Sequence, residues 1–189
     1  HGVPGAFMSI VAYNILEYVV NNNNETQPAR IIDALNIGVS ETLHQSNSES
    51  QSRDGMDLAL CAIDFVKKEL QFAGAYNPLY LVRKGQLLEF KADKFPIGYY
   101  TGTTAKPYKN NVIDLQSGDM IYIFSDGYVD QFGGPNGKKY MANRFRNLLL
   151  EICDKPVEEQ KKILDNQLLD WQGVHEQVDD ILVIGLKIS

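Results

Sequence analysis

The apolar residues of this chain change their spacing along the sequence, and the order of those changes limits the folds that the chain can adopt. Near the start they recur every three or four positions, which predicts two helices, at about Gly5 to Val20 and Pro28 to His44. Short apolar runs between Met56 and Phe124, separated by Gly, Asn and Pro, predict strands joined by turns. Helical spacing then returns at about Ala142 to Ile152 and Val157 to Trp171.

A last apolar run, Asp180 to Ile188, predicts a closing strand, and the whole order indicates α+β layers with an antiparallel sheet. No repeat or linker divides the sequence, so residues 1–189 are predicted to form a single domain. The residues predicted to face the core from the first and second helices are Phe7, Ile10, Val11, Ile15, Val19 and Val20, and Ile31, Ile32, Leu35, Val39 and Leu43.

Composition and charge argue against several classes of protein. The 189 residues are 44% hydrophobic and 22% charged, as in globular domains, and a formal net charge of -6 disfavours binding to nucleic acid. The longest apolar stretches are interrupted before they reach the roughly 20 residues of a membrane span, so we expect no membrane contact by this segment. Cys61 and Cys153 stand far apart in apolar surroundings, which indicates buried thiols in a reducing compartment, the cytoplasm.

Acidic residues flank two of the predicted strands. Asp126 and Asp130 follow the strand Met120 to Phe124, and Asp179 and Asp180 precede the last strand. Opposite ends of two antiparallel strands meet at one edge of a sheet, where converging carboxylates would repel unless a cation neutralised them. Magnesium and manganese prefer such oxygen ligands. Solvated turn residues are the commoner explanation for acids beside strands, and the pattern alone leaves both explanations open.

Five segments, in order, resemble the SpoIIE/RsbU-type branch of the PP2C phosphatases, and together they span nearly the whole chain. They are His1-Gly-Val-Pro-Gly-Ala6, Arg53-Asp-Gly-Met-Asp-Leu-Ala-Leu-Cys61, Gly74-Ala-Tyr-Asn-Pro-Leu-Tyr-Leu81, Phe124-Ser-Asp-Gly-Tyr-Val-Asp130 and Gln177-Val-Asp-Asp-Ile-Leu-Val-Ile-Gly185. The resemblance implies a sandwich of two antiparallel sheets flanked by helix pairs. It also implies hydrolysis of phosphoserine or phosphothreonine on proteins, with two Mn²⁺ or Mg²⁺ ions.

By the same resemblance, Asp126 and Asp179 are expected to be catalytic metal ligands. Asp130 matches an acid that helps to hold a further, looser metal ion in some relatives, and Asp180 is expected to support its neighbour or face solvent. Four arginines are candidate phosphate contacts, with nothing in the sequence to rank them: Arg53, Arg83, Arg144 and Arg146. The glycine-rich segment Gly133 to Gly137 is expected to form a turn near the site.

The sequence departs from the family pattern at its start. In the family, an Asp-x-x-Gly-His-Gly motif supplies an Asp that bridges both metals, whereas this sequence begins at His1. We therefore expect the bridging Asp and the strands before it to lie outside these residues, and a chain of these 189 residues to be inactive. The alternative is a phosphatase-like module that binds a partner protein without catalysis.

The resemblance also implies partners. The expected substrate is a phosphorylated regulatory protein of the anti-sigma-factor-antagonist type in bacterial signalling. An upstream sensor domain of the same protein is expected to regulate the site by repositioning the first two helices, and upstream segments could anchor the full-length protein to a membrane. A homodimer is also considered.

Overall fold

The helices and strands fall close to the positions that the apolar spacing predicts. In the computed structural model, residues 2–44, 55–98 and 106–189 are described, and the chain divides into two compact units. The first unit comprises residues 1–77 and 91–114, and the second comprises residues 78–90 and 115–189. His1, Arg53 and the predicted loop at 45–52 lie outside the described residues.

The first unit combines two helices with two antiparallel sheets, one of three strands in the order β2-β3-β7 and one pairing β1 with β6. Its elements are α1 (Gly2–Glu17), a π-helical turn (Tyr18–Asn22), α2 (Pro28–His44), β1 (Gly55–Met56), β2 (Leu58–Asp64), β3 (Glu69–Ala75), β6 (Ile97–Gly98) and β7 (Asn111–Asp114). Helix α2 begins at Pro28, a favoured first helical residue because proline lacks the N–H that would be unpaired there.

The predicted buried stripe of α2 is confirmed at four of its five positions, since Ile32, Leu35 and Val39 are completely buried and Ile31 nearly so. The side chain of the fifth, Leu43, lies outside the described residues. For α1 the prediction is wrong in part. Val19 is buried and Val11 and Ile15 pack on the core, but Phe7, Ile10 and Val20 are exposed, and Met8 and Ala12 are buried instead.

The error has a physical reason. Helix α1 carries apolar residues around most of its circumference, so their spacing does not select one face. Contact with α2 selects it: a Cβ on Gly38 would lie 2.8 Å from Cδ1 of Ile15, so the glycine makes room for that side chain. The docked face of α1 is therefore set by the surface of its neighbour.

The second unit is built on a four-stranded antiparallel sheet in the order β11-β8-β4-β5. Its elements are β4 (Leu79–Arg83), β5 (Gln86–Phe90), β8 (Met120–Phe124), α3 (Gly127–Asp130), β9 (Phe132–Gly133), β10 (Lys138–Lys139), α4 (Ala142–Ile152), α5 (Val157–Gln172) and β11 (Val183–Lys187). Lys84 and Gly85 turn the β4–β5 hairpin with φ of 50° and 73°, as a two-residue hairpin turn requires.

The predicted α+β class with antiparallel sheets is confirmed, and three local features were missed. Helix α3 and the β9–β10 hairpin follow β8, where only a turn was predicted. The last strand begins at Val183 and not at Asp180, so the two acids lie in the loop that leads into it. Among the described residues, no helix is both long and apolar enough to span a membrane.

An aromatic cluster fills the core of the second unit. The Phe145 ring on α4 lies 4.8 Å from the ring centroid of Phe124 and 4.7 Å from that of Tyr128, and Tyr80 lies 4.9 Å from Phe124. The Tyr128 hydroxyl donates to the backbone oxygen of Leu164 at 2.9 Å, which satisfies its buried polar group. The cluster thus fixes the segment that directly follows β8 against α4 and α5.

A buried ion pair joins β4 to the turn before β8. Arg83 donates from Nε and Nη2 to the two carboxylate oxygens of Asp119 at 2.8 and 2.6 Å, and the Asp119 side chain is only 1% exposed. Burial alone would raise the pKa of Asp119, but the hydrogen bonds from Arg83 and from the Gln116 N–H hold that pKa below its ordinary value.

Replacing Asp119 should therefore destabilise the second unit. We expect Asp119→Asn to lower the free energy of unfolding at pH 7 by about 2–3 kcal/mol, because the guanidinium loses its charged partner. Asp165→Asn, on the exposed side of α5, is the matched control and should change little. The folded pKa of Asp119 lies below that of the unfolded chain, so its contribution is complete above about pH 4 and is lost as the pH falls through the folded pKa. Denaturant titrations that show no difference between the two variants at pH 7 would contradict this role.

Candidate active site

Two strand ends meet at the place where the acidic segments lie. Strand β11 pairs with β8 in antiparallel register, with Val183 opposite Phe124, so the start of β11 lies beside the end of β8. The Ser125 N–H continues this pairing by donating to the backbone oxygen of Leu182 at 3.0 Å. The predicted shared edge of the sheet is thereby confirmed.

The Ser125 hydroxyl ties the two acidic segments together. Its Oγ donates to the backbone oxygen of Asp180 at 2.8 Å and accepts from the Leu182 N–H at 2.9 Å. Gly127 permits the close approach, because a Cβ at this position would overlap the backbone carbonyl of Asp180. Ser125 and Gly127 thus each make a separate contact with the segment before β11. Asp126 lies between them and is thereby held beside that segment.

We refer to the carboxylates of Asp126, Asp130 and Asp179 as the acidic edge. Asp126 and Asp130 stand one helical turn apart, with the Asp130 N–H donating to the Asp126 backbone oxygen at 2.9 Å. Partial burial raises the pKa of Asp126 above its ordinary value, and the negative charges of Asp179 and Asp130 raise it further. Asp126 therefore lies within electrostatic reach of both other acids.

The loop before β11 fixes the backbone around Asp179. The Asp180 N–H donates to Oδ1 of Asp179 at 2.7 Å, and Nε2 of Gln177 donates to the Asp179 backbone oxygen at 2.7 Å. Asp180 itself is exposed and contributes its backbone oxygen to Ser125. The two neighbouring acids therefore make different contacts. Asp179 accepts a hydrogen bond through its carboxylate, whereas Asp180 accepts one through its backbone oxygen.

A lysine contacts the carboxylate of Asp130. Nζ of Lys139, on β10, lies 2.7 Å from Oδ2 of Asp130. The sequence did not single out this lysine, since it stands nine positions away, after the Gly133 to Gly137 segment that was predicted to be a turn. The pairing of β9 with β10 brings it back to the end of α3.

Gln131, the residue after Asp130, is completely buried and joins several segments. Its Nε2 donates to the backbone oxygen of Glu176 at 2.9 Å, three residues before Asp179. Its own backbone oxygen accepts from Nε1 of Trp171 at 3.1 Å, at the end of α5. This glutamine therefore connects the end of α3 with the loop that carries Asp179, a role that no sequence pattern indicated.

The glycine-rich segment is a β-hairpin fixed against the end of α5. The Gly134 N–H donates to the backbone oxygen of Trp171 at 2.7 Å, and a Cβ on Gly133 would overlap that same oxygen. The glycines therefore serve close backbone contact. They do not precede a long helix as they would in a phosphate-binding loop.

The candidate arginines have other partners. Arg83 pairs with Asp119, Arg146 donates from Nη2 to Glu89 at 2.7 Å, and the Arg144 guanidinium lies 4.5 Å from the Trp171 ring centroid. Arg53 lies outside the described residues. Lys139 contacts the acidic edge through Asp130, and no described arginine is assigned to phosphate.

The carboxylate oxygens of the acidic edge are chemically suited to a hard cation. Carboxylate oxygens are the ligands that Mg²⁺ and Mn²⁺ prefer, and the mutual repulsion felt by Asp126 would be relieved by such an ion. Within residues 2–44, 55–98 and 106–189, however, no three or more His, Cys, Asp or Glu side chains cluster closely enough to hold a metal ion by themselves. Asp126 and Asp179 thus fit as part of a ligand set, and the described residues do not complete it.

Comparison with known families decides the assignment. The family model of stage II sporulation protein E, SpoIIE, matches residues 1–189. The chain belongs to the SpoIIE family. Comparison with curated proteins gives no significant match. Membership in SpoIIE supports a PP2C-type protein serine/threonine phosphatase function, and the resemblance seen in the sequence is confirmed.

Solved structures agree with the SpoIIE assignment. The chain is similar to the SiaA-PP2C domain of Pseudomonas aeruginosa, with 29% identity and a TM-score of 0.86, over 100% of this chain and 72% of that one. It is also similar to the PP2C phosphatase domain and regulatory-domain fragment of SpoIIE from Bacillus subtilis, with 19% identity and a TM-score of 0.73, over 100% of this chain and 51% of that one. A manganese-presoaked structure of the Bacillus subtilis SpoIIE phosphatase domain shares 16% identity and a TM-score of 0.52, over 96% of this chain and 73% of that one. The predicted PP2C-like fold is confirmed.

The contact between Gly127 and Asp180 can be tested by adding one methyl group. Gly127→Ala should lower the free energy of unfolding by about 1–3 kcal/mol, because its Cβ overlaps a backbone carbonyl that cannot move without disturbing Ser125. Gly5→Ala, in α1 with nothing within 4 Å of the added Cβ, is the matched control and should be neutral or slightly stabilising. Thermal and denaturant unfolding of both variants measure the difference. An alanine at 127 that is tolerated as well as the one at position 5 would contradict the close approach.

Proposed function

We propose that this chain is the part of a bacterial signalling phosphatase that supplies Asp126 and Asp179 as ligands for two Mn²⁺ or Mg²⁺ ions. Its reaction is the hydrolysis of phosphoserine or phosphothreonine on a regulatory protein of the anti-sigma-factor-antagonist type. The observation that carries this proposal is the Ser125 hydroxyl bridge, which holds Asp126 beside the loop of Asp179. When bound, such ions supply a water of lowered pKa and a positive clamp on the phosphate.

The residues of the chain have defined tasks in this function. Asp126 and Asp179 hold the cations, Ser125 sets the relation between the two segments, and Gln131 anchors the loop before Asp179. Asp126 is largely open to solvent although partly covered, and Asp179 is half-buried. An acidic edge open to solvent suits a phosphorylated side chain that is carried on a protein surface, and it suits an enclosed small-molecule substrate less well.

The remaining partners follow from the same proposal. An upstream sensor domain of the same protein would act through α1 and α2, a homodimer is one possible assembly, and the reaction takes place in the cytoplasm. The net charge of -6 argues against nucleic acid as a partner.

Single carboxylate replacements test the proposed ligands. In the protein at its natural length, Asp126→Asn and Asp179→Asn should each reduce Mn²⁺-dependent hydrolysis of a phosphoserine peptide by at least 100-fold, roughly the loss expected when a two-metal site loses a charged ligand. Asp180→Asn is the matched control, because its contribution is a backbone oxygen that the substitution preserves. Phosphate release and thermal melting are measured together. Near-normal turnover in either of the first two variants, or equal loss in all three, would refute the assignment.

A polypeptide of only these 189 residues should behave differently. Because no three metal-ligating side chains cluster among the described residues, we expect it to show negligible Mn²⁺-dependent hydrolysis of an aryl phosphate. Turnover that a chelator abolishes would contradict this expectation. If the protein at its natural length also lacks turnover but binds the phosphorylated partner, the alternative of a non-catalytic binding module takes its place.

A further inference from the structure

A positive charge lies beside the acid that is proposed to hold a cation. Nζ of Lys139, on β10, lies 2.7 Å from Oδ2 of Asp130, one helical turn after Asp126. Burial and the neighbouring acids raise the pKa of Asp126, and the charge of Lys139 opposes that rise. The ammonium group is therefore within electrostatic reach of Asp126, and also of a charged group that binds next to it.

The ammonium group of Lys139 is held in place but not covered. A lysine has three N–H donors and no acceptor, and one carboxylate of the described residues, that of Asp130, accepts from it. The Lys139 side chain is 41% exposed, so the ammonium group remains open to solvent. The ion pair with Asp130 thus limits where the ammonium group lies and leaves donors for a ligand.

The β9–β10 hairpin fixes which lysine faces the acidic edge. Lys139 pairs opposite Phe132, and its Nζ lies 6.0 Å from the centroid of that ring. Directly after the lysine, the Tyr140 N–H donates to the Gln131 backbone oxygen at 2.9 Å. Lys138 is exposed on the same strand, and side chains alternate between the two faces of a strand. The hairpin therefore offers two adjacent lysines, of which Lys139 contacts the edge.

The arginines of the second unit are engaged elsewhere. Arg83 and Arg146 each pair with a carboxylate, and the Arg144 guanidinium lies against the Trp171 ring. A phosphate group on serine or threonine carries up to two negative charges, and charged donors form its strongest hydrogen bonds. Lys139 is placed to supply such a donor beside Asp126.

We propose that Lys139 is a substrate-binding residue that donates a hydrogen bond to a phosphate oxygen of the phosphorylated side chain, while Asp130 holds its ammonium group in place. The inference rests on the proposed function in one respect, that a phosphorylated serine or threonine binds beside Asp126. It goes further by assigning a phosphate contact within this chain, at a position outside the motifs. The lysine binds and orients the phosphate, and no covalent bond to it is formed or broken.

The contact is expected to be of moderate strength. A hydrogen bond between two charged groups is stronger than a neutral one, but solvent and the Asp130 carboxylate both offset the charge of a half-exposed ammonium group. Removing the ammonium group should therefore weaken phosphate binding by about threefold to tenfold. The difference should shrink as salt is added, because the Debye length falls from about 10 Å at 0.1 M to about 3 Å at 1 M ionic strength.

The experiment measures binding without turnover, in the protein at its natural length and with saturating Mn²⁺. The probe is a fluorescein-labelled peptide in which a non-hydrolysable phosphonate replaces phosphoserine, and fluorescence anisotropy gives its Kd. Lys139→Met should raise this Kd by about threefold to tenfold. Lys138→Met removes the same charge from the neighbouring position and should leave the Kd unchanged, and Lys139→Arg should bind nearly as well as the unmodified protein. If Lys139→Met does not fold, Lys139→Gln replaces it.

Two controls separate a phosphate contact from other roles. A peptide with serine in place of the phosphonate should bind equally to the unmodified protein and to Lys139→Met. Mn²⁺ binding, followed by the electron paramagnetic resonance signal of free Mn²⁺, should not be weakened in Lys139→Met.

Four outcomes would overturn the proposal. An unchanged Kd in Lys139→Met would exclude the contact, and equal weakening in Lys138→Met would assign the effect to the general field of the protein. Equal weakening with the serine peptide would mean that Lys139 contacts another part of the peptide. Weakened Mn²⁺ binding in Lys139→Met would mean that it acts through the cations. Failure of the proposed function is recognised separately: the unmodified protein would then bind the phosphonate peptide but not hydrolyse the phosphoserine peptide.

Discussion

The hydroxyl group of Ser125 is the contact on which the acidic edge depends. Carboxylates repel one another, so Asp126 and Asp179 approach only if other interactions hold their backbones together. Ser125 supplies a donor and an acceptor at once, to the Asp180 oxygen and from the Leu182 N–H, directly beyond the last paired residues of β8 and β11. A single side chain thereby extends the sheet by one step and fixes the separation of two loops. The repulsion that remains makes the edge a suitable place for a cation.

The core of the second unit makes this arrangement rigid. Tyr128, in the helix that follows Asp126, packs against Phe145 and donates to Leu164, so α3 is attached to both α4 and α5. Gln131 continues the attachment to Trp171 and to the loop before Asp179. Short segments such as α3 have little stability of their own, because a helix of one turn makes few internal hydrogen bonds. Their geometry is set by the buried groups on either side, which is why the acids can face solvent and still be fixed.

Much of this fold could be predicted from the sequence. The features that could not be predicted have a common cause. The period of apolar residues located α2, α4 and β8 with their observed bounds, because each has a distinct buried stripe or lies between clear turns. It failed for the docked face of α1, where apolar residues surround the helix, and for the β9–β10 hairpin, whose two-residue strands have no period. The acids of the edge were identified from their motifs. Ser125, Gln131 and Lys139 were not identified as site residues, because their roles depend on partners 9 to 57 positions away.

The difference between Asp126 and Asp130 shows what geometry adds to a resemblance. The two residues have the same chemistry, stand one helical turn apart and belong to the same motif, so the resemblance implies metal binding for both. In the structure, the Lys139 ammonium group contacts Asp130, whereas the pKa of Asp126 is raised by burial and by its acidic neighbours. A carboxylate with a nearby lysine gains less from a divalent ion than one surrounded by negative charge, because part of its charge is already balanced. The same electrostatic argument that favours a cation beside Asp126 therefore favours Lys139 as the partner of Asp130.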